Sequence, residues 1–114
     1  MTYKAIKQLI QGFGLPYTYN SFPNNIAPTP PYIVFNYPNN DDFGADNENY
    51  VSIDVLNIEL YTQNKDFELE EAIEAALKEN GFYYEKSEAY IRSENLYQIS
   101  YVSEVITEQG VENG

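Results

Sequence analysis

The longest strand pattern in the chain is the stretch 50–62. Its sequence is Tyr50-Val51-Ser52-Ile53-Asp54-Val55-Leu56-Asn57-Ile58-Glu59-Leu60-Tyr61-Thr62. Apolar residues alternate with polar ones on one face as far as Val55, and on the other face from Leu56 onward. The phase of the alternation therefore changes between these two residues. A β-bulge, or a central strand covered on both faces, would explain the change.

One amphipathic helix is predicted before this strand in the sequence, and another is predicted after it. The first covers residues 3–13, with Thr2 as its N-cap, and its apolar stripe consists of Ile6, Leu9, Ile10 and Phe13. The second covers residues 67–79, with Asp66 as N-cap and Gly81 at its end, and its stripe consists of Leu69, Ile73, Ala76 and Leu77. We expect the acidic residues of the second helix to face mostly solvent.

The remaining segments indicate strands and polar connections. They comprise a short strand in 17–22, an extended proline-rich loop over 23–31, a strand over 32–37 that Pro38 stops, a polar loop over 38–49, a hairpin of 82–91 and 96–106, and a flexible tail over 107–114. This order predicts an α+β fold in a single domain, 1–114. We expect a mostly antiparallel four- to five-stranded sheet with two helices packed on one face.

Composition removes several kinds of chemistry. The 114 residues include no His, no Cys and no Trp. A Ser–His–Asp triad, a cysteine nucleophile, a Cys/His zinc site and disulfides are therefore impossible in this chain. We expect no catalytic residues, no cofactor and no enzymatic activity.

The charge is strongly acidic and unevenly distributed. The formal net charge is −12, and residues 1–40 carry Lys4 and Lys7 but no acidic residue, whereas residues 41–114 carry all 18 acidic residues. Such a balance argues against binding to nucleic acid or anionic membranes, which requires basic surfaces. The sequence shows no signal-peptide pattern and no apolar run of transmembrane length, so a cytoplasmic product is the default expectation.

Other motifs for specific chemistry are weak. The acidic segment 41–48 does not fit an EF-hand, because Tyr50 stands where that loop needs its final Glu, and we predict no metal site. Close carboxylate pairs, as in glycosidases, are expected by chance among so many acids. Gly12-Phe13-Gly14 lacks the third glycine of a phosphate-binding loop and follows a helix instead of a strand.

Three stretches resemble the tail terminator (tail completion) proteins of siphophages. They are Pro31 to Phe35, then Tyr50 to Tyr61 followed by Asp66 to Glu70, and finally Phe82 to Ile91 with the strand Leu96 to Ile99. The resemblance implies an α+β subunit of a hexameric ring, located in the virion at the head-proximal end of the tail. Such a ring caps the tail tube, stops its polymerisation and meets the head-completion or connector protein, while DNA passes through the lumen.

The two polar loops are the expected contact regions, because loops carry binding more often than strands do. We predict contacts with neighbouring subunits or with the major tail tube protein at Pro28, Pro30, Asp41, Asp42, Phe43 and Tyr50. Three alternatives remain open. They are another phage neck or head-completion protein, an acidic inhibitor or DNA mimic that acts on a host nucleic-acid-handling enzyme, and a binding domain of another kind.

Overall fold

The computed structural model describes the backbone of residues 1–40 and 51–108, and the side chains of residues 1–38 and 53–107. Two α-helices and five strands follow one another in these ranges, with a short 3₁₀ helix (Pro23–Asn25) between the first two strands. In chain order they are α1 (Tyr3–Gln11), β1 (Tyr17–Tyr19), β2 (Tyr32–Asn40), β3 (Val51–Thr62), α2 (Phe67–Glu79), β4 (Tyr84–Ile91) and β5 (Leu96–Glu108).

The strands form one mixed sheet in the order β1-β2-β3-β5-β4. β1 pairs with β2 in parallel, and the other neighbours pair antiparallel. Both helices cover the same face, where Ile6 and Ile10 of α1 and Ile73 and Leu77 of α2 share a core with the sheet. The predicted α+β class, with a mostly antiparallel sheet and two helices on one face, is therefore confirmed.

Local capping explains where the helices begin and end. The Thr2 side chain accepts a hydrogen bond from the Ala5 amide at 3.0 Å, and Asp66 does the same for the Leu69 amide at 3.0 Å. α2 has the predicted bounds. α1 ends at Gln11, two residues earlier than predicted, and Gly12 is its C-cap.

The change of phase in the apolar pattern of β3 coincides with no bulge in that strand, so of the two explanations the bulge is wrong. Buried residues continue on the helix-covered face from Leu56 back to Asp54, so a carboxylate occupies a core position. The pairing of β3 with β5 is continuous from Val51 to Thr62. A register shift does occur, but in β2, between Asn36 and Asn39.

Three other expectations are corrected. β2 continues through Pro38 to Asn40, because the proline lies at the register shift, where a missing ladder donor is tolerated. The short first strand is limited to Tyr17–Tyr19. β5 continues beyond residue 106, and Thr107 is fully buried, so residues 107 and 108 belong to the sheet and not to a tail.

Candidate interaction surfaces

Few of the predicted contact residues can be placed. Pro28 and Pro30 are half-buried in the connection between β1 and β2. Asp41, Asp42, Phe43 and Tyr50 lie outside the described residues, as does most of the acidic loop considered for a metal. Within the described ranges, no group of three or more His, Cys, Asp or Glu side chains could hold a metal ion.

A cleft of about 600 Å³ lies between α1 and the β1 edge of the sheet. We call it the tyrosine cleft, and its lining residues are Tyr3, Lys7, Tyr17, Thr18, Tyr19, Phe35 and Tyr37. Tyr3 and Lys7 are one helical turn apart and so share a face of α1. This cleft was not predicted from the sequence, although the spacing of Tyr3 and Lys7 was visible there.

The cleft walls are held by edge-to-face aromatic contacts. The rings of Tyr3 and Tyr37 have centroids 5.1 Å apart at 78°, and those of Tyr19 and Phe35 are 5.3 Å apart at 85°. These are favoured geometries for aromatic pairs. The Tyr37 amide also donates to the Tyr19 hydroxyl at 3.3 Å. Burial, followed by the nearby Tyr3, Asp54 and Tyr19, raises the pKa of Tyr37, so its ring remains neutral.

A buried carboxylate anchors the cleft from beneath. Asp54 is 3% exposed, and its Oδ2 accepts hydrogen bonds from the Tyr3 hydroxyl at 2.6 Å and from the Thr107 hydroxyl at 2.7 Å. These contacts join α1 to the neighbouring strands β3 and β5. The first turn of α1, and with it one wall of the tyrosine cleft, is therefore fixed to the sheet.

A second buried carboxylate organises the opposite end of the helical layer. Glu70 of α2 is 1% exposed, with Oε2 at 2.5 Å from Lys65 Nζ and Oε1 at 2.9 Å from Lys86 Nζ. The expectation that acidic residues of this helix face solvent is wrong for Glu70. Lys65 also pairs with Glu88, and Lys86 with Glu74.

The charges of this network stabilise one another. Burial alone would raise the pKa of Glu70, but hydrogen bonds and ion pairs with Lys65 and Lys86 outweigh burial and hold the pKa of this carboxyl below its ordinary value. The hydrogen bond to Glu74 raises the pKa of Lys86, against the effect of burial. The network ties α2 to β4, so it is a structural contact of the helical layer.

The sheet face opposite the helices, which we call the open face, carries a second aromatic cluster. Tyr32 and Tyr61 stack with centroids 5.0 Å apart, and Phe22 packs edge-to-face on Tyr32 at 5.3 Å. The Tyr61 hydroxyl donates to Glu59 at 2.9 Å and accepts from Gln98 at 2.7 Å. Burial, together with Glu59, raises the pKa of Tyr61 to about 12.

Apolar side chains extend the open face along β5. Val102 and Ile106 alternate with the core residues of that strand and are exposed, Ile106 by 60%. The rings, methyl groups and polar side chains of this face are suited to stacking, apolar contact and hydrogen bonding. The open face is therefore chemically suited to contact with another molecule.

Comparison with known proteins adds no family assignment. No protein-family model matches the chain, and no curated protein matches its sequence. None of the described helices is long and apolar enough to span a membrane.

Proposed function

We propose that this protein is a virion structural subunit that caps a phage tail tube as an oligomeric ring and is not an enzyme. In this proposal the ring, a hexamer by resemblance, stops polymerisation of the tube and forms the interface to the head-completion or connector protein. The observation that carries the proposal is the open face. Helices cover only one side of the sheet, and Val102 and Ile106 lie exposed on the other.

The open face fits an axial contact in such a ring. Exposed apolar residues beside an aromatic cluster are characteristic of surfaces that a partner covers. We assign this face to the tail tube or the connector. The acidic balance of the chain supports the remaining part of the proposal, since an acidic lumen repels DNA and lets it pass without binding.

Electron microscopy of isolated tail tubes tests this assignment. Purified protein should appear as density at one tube end and should stop elongation of tubes from added tube protein. Ile106→Glu should abolish capping, because it places a charge on the open face without altering the core. Ala75→Glu, which adds the same charge on the exposed side of α2, is the matched control and should cap normally. Tubes that elongate unchanged with the wild-type protein present would contradict the proposal.

The formal charge of −12 also favours a second candidate, an acidic inhibitor that occupies the basic groove of a nucleic-acid-handling enzyme. Glu59, Glu85 and Glu104 lie on the open face and would stand in for phosphates. This candidate predicts a compact monomer or dimer that is displaced from its target by duplex DNA. A chain that ignores tail tubes and shows such competition would support it.

A further inference from the structure

The two edges of the sheet carry different surfaces. The tyrosine cleft lies at the β1 edge, and Tyr83 lies beside β4 at the other edge, four strand spacings or about 19 Å across the sheet. Tyr83 is 93% exposed, more than any other large hydrophobic side chain in the described ranges. A ring this exposed lacks the favourable free energy that the buried rings of this fold gain by leaving water.

The local structure explains why Tyr83 projects outward. α2 ends in a turn at Gly81, whose φ is +80°, and the next residues lead directly into β4. Tyr84 turns toward the helices and packs edge-to-face on Tyr101, with centroids 5.4 Å apart. Consecutive side chains in an extended chain point to opposite sides, so Tyr83 is directed away from the core.

The surroundings of these two surfaces have opposite charge. Lys7 lines the tyrosine cleft and is exposed, and the first 40 residues include no carboxylate. Glu85 and Glu104 line one shallow depression together with Tyr83. Tyr83 therefore adjoins the carboxylates of Glu85 and Glu104 as well as Lys78 of α2, whereas the aromatic cleft at the other edge is flanked by Lys7.

We infer that Tyr83 of one copy of this chain enters the tyrosine cleft of the next copy, with Glu85 close to Lys7. The inference rests on the proposed function and supplies its subunit contact. The cleft offers ring edges and faces for stacking on the incoming ring. Because the two surfaces differ, the contact is head-to-tail and can continue around a closed ring.

Two single variants and their mixture test the contact by sedimentation velocity over a series of protein concentrations. Tyr83→Ala should raise the dissociation constant for self-association by about 30-fold or more, as for loss of an aromatic hot spot. Lys7→Glu should weaken association about tenfold, because it places like charges together. Mixed in equal amounts, the two variants should form one-to-one dimers and nothing larger. The first retains an intact cleft and the second retains an intact Tyr83.

Phe67→Ala is the matched control, since Phe67 is also a large exposed ring, 67% accessible, but lies at the start of α2. It should associate like the wild type. Both Tyr83 and Lys7 are exposed, so circular dichroism should show unchanged folding. A double variant, Lys7→Glu with Glu85→Lys, should recover the association that is lost when either Lys7→Glu or Glu85→Lys is made alone.

Several results would overturn the inference. They are a wild-type chain that is monomeric at every concentration, a Tyr83→Ala chain that associates normally, and a variant mixture that forms no dimer. Tube capping in any of these cases would leave the proposed function intact. Conversely, a chain that assembles through Tyr83 but leaves tail tubes open would support this contact and contradict the proposed function. A cleft that binds only a different protein would assign it to that partner.

Discussion

At the scale of single residues, Glu70 is a charge that the fold has buried and compensated. Removing such a carboxylate from water costs several kcal/mol, and the two lysine ammonium groups offset that cost. The net stabilisation by these ion pairs therefore depends on the presence of all three charged groups, Glu70, Lys65 and Lys86. This makes the residue sensitive to substitution in a way that the exposed glutamates of α2 are not.

Glu70→Gln should lower the free energy of unfolding by about 2 kcal/mol at pH 7, since it leaves Lys65 and Lys86 without their shared partner. Chemical denaturation measures the change. Glu71→Gln, an exposed neighbour, should cost less than about 0.5 kcal/mol. Equal losses for the two variants would show that the Glu70 network contributes no specific stability.

The pH dependence of that loss follows from the lowered pKa of Glu70. A carboxyl whose pKa is lower in the folded than in the unfolded state stabilises the fold above its ordinary pKa of 4.5. The contribution disappears as the pH falls through the folded-state pKa. The difference in unfolding free energy between the wild type and Glu70→Gln should therefore shrink from pH 7 to pH 3. A difference that grows on acidification would contradict this linkage.

Asp54→Ala should destabilise the protein by about 2 kcal/mol or more, because it removes the hydrogen bonds that the buried Asp54 carboxylate accepts from the Thr107 and Tyr3 hydroxyls. Asp54→Asn retains an acceptor oxygen and should cost less. Thermal unfolding of both variants gives the order. An alanine variant as stable as the asparagine variant would mean that these hydrogen bonds contribute little.

At the scale of elements, the turn between α2 and β4 depends on one backbone conformation. Gly81 has a φ of +80°, and a Cβ there would meet no atom within 4 Å. A substitution would therefore be strained by its backbone and not by crowding.

Gly81→Ala should cost about 1 kcal/mol of unfolding free energy, whereas Gly81→Asn should cost less, because asparagine tolerates positive φ. Urea denaturation compares the two. If alanine were tolerated as well as asparagine, the turn would have to adopt another conformation in solution.

The elements were predictable to the extent that their signals are local. α2 has its predicted bounds because its cap, its apolar spacing and its terminal glycine all lie within the segment. The end of β2 was misplaced because Pro38 is tolerated only at a register shift, and such a shift depends on the pairing with β3. The burial of Asp54 was not predicted for a similar reason, since its partners Tyr3 and Thr107 are about 50 residues away in either direction.

At the scale of the whole molecule, buried phenols are distributed over both faces of the sheet. Tyr37 and Tyr101 lie on the helical side and Tyr61 lies on the open face, and burial raises the pKa of all three. The fold therefore favours the neutral phenol in each case. Because these residues belong to separate strands, their titration reports on the integrity of the sheet as a unit.

Stability should fall as the pH rises above 10, the ordinary tyrosine pKa, because the unfolded chain gives up these protons before the folded chain does. Absorbance of the phenolate should show late-ionising tyrosines whose titration coincides with loss of circular dichroism. Tyr101→Phe should reduce the alkaline loss of stability. Ionisation of all twelve tyrosines near pH 10 without unfolding would contradict the burial of these rings.

The fold class, the bounds of α2 and the excluded chemistries could be predicted from the sequence alone. These follow from periodicity, capping and residue types, which are properties of short segments. The tertiary structure was needed to establish the strand order, the parallel pairing of β1 and the assembly of the tyrosine cleft. It also decided that Asp54 and Glu70 are buried. Each of these results depends on contacts between segments far apart in the chain, and the free energy of such contacts exists only once the sheet has formed.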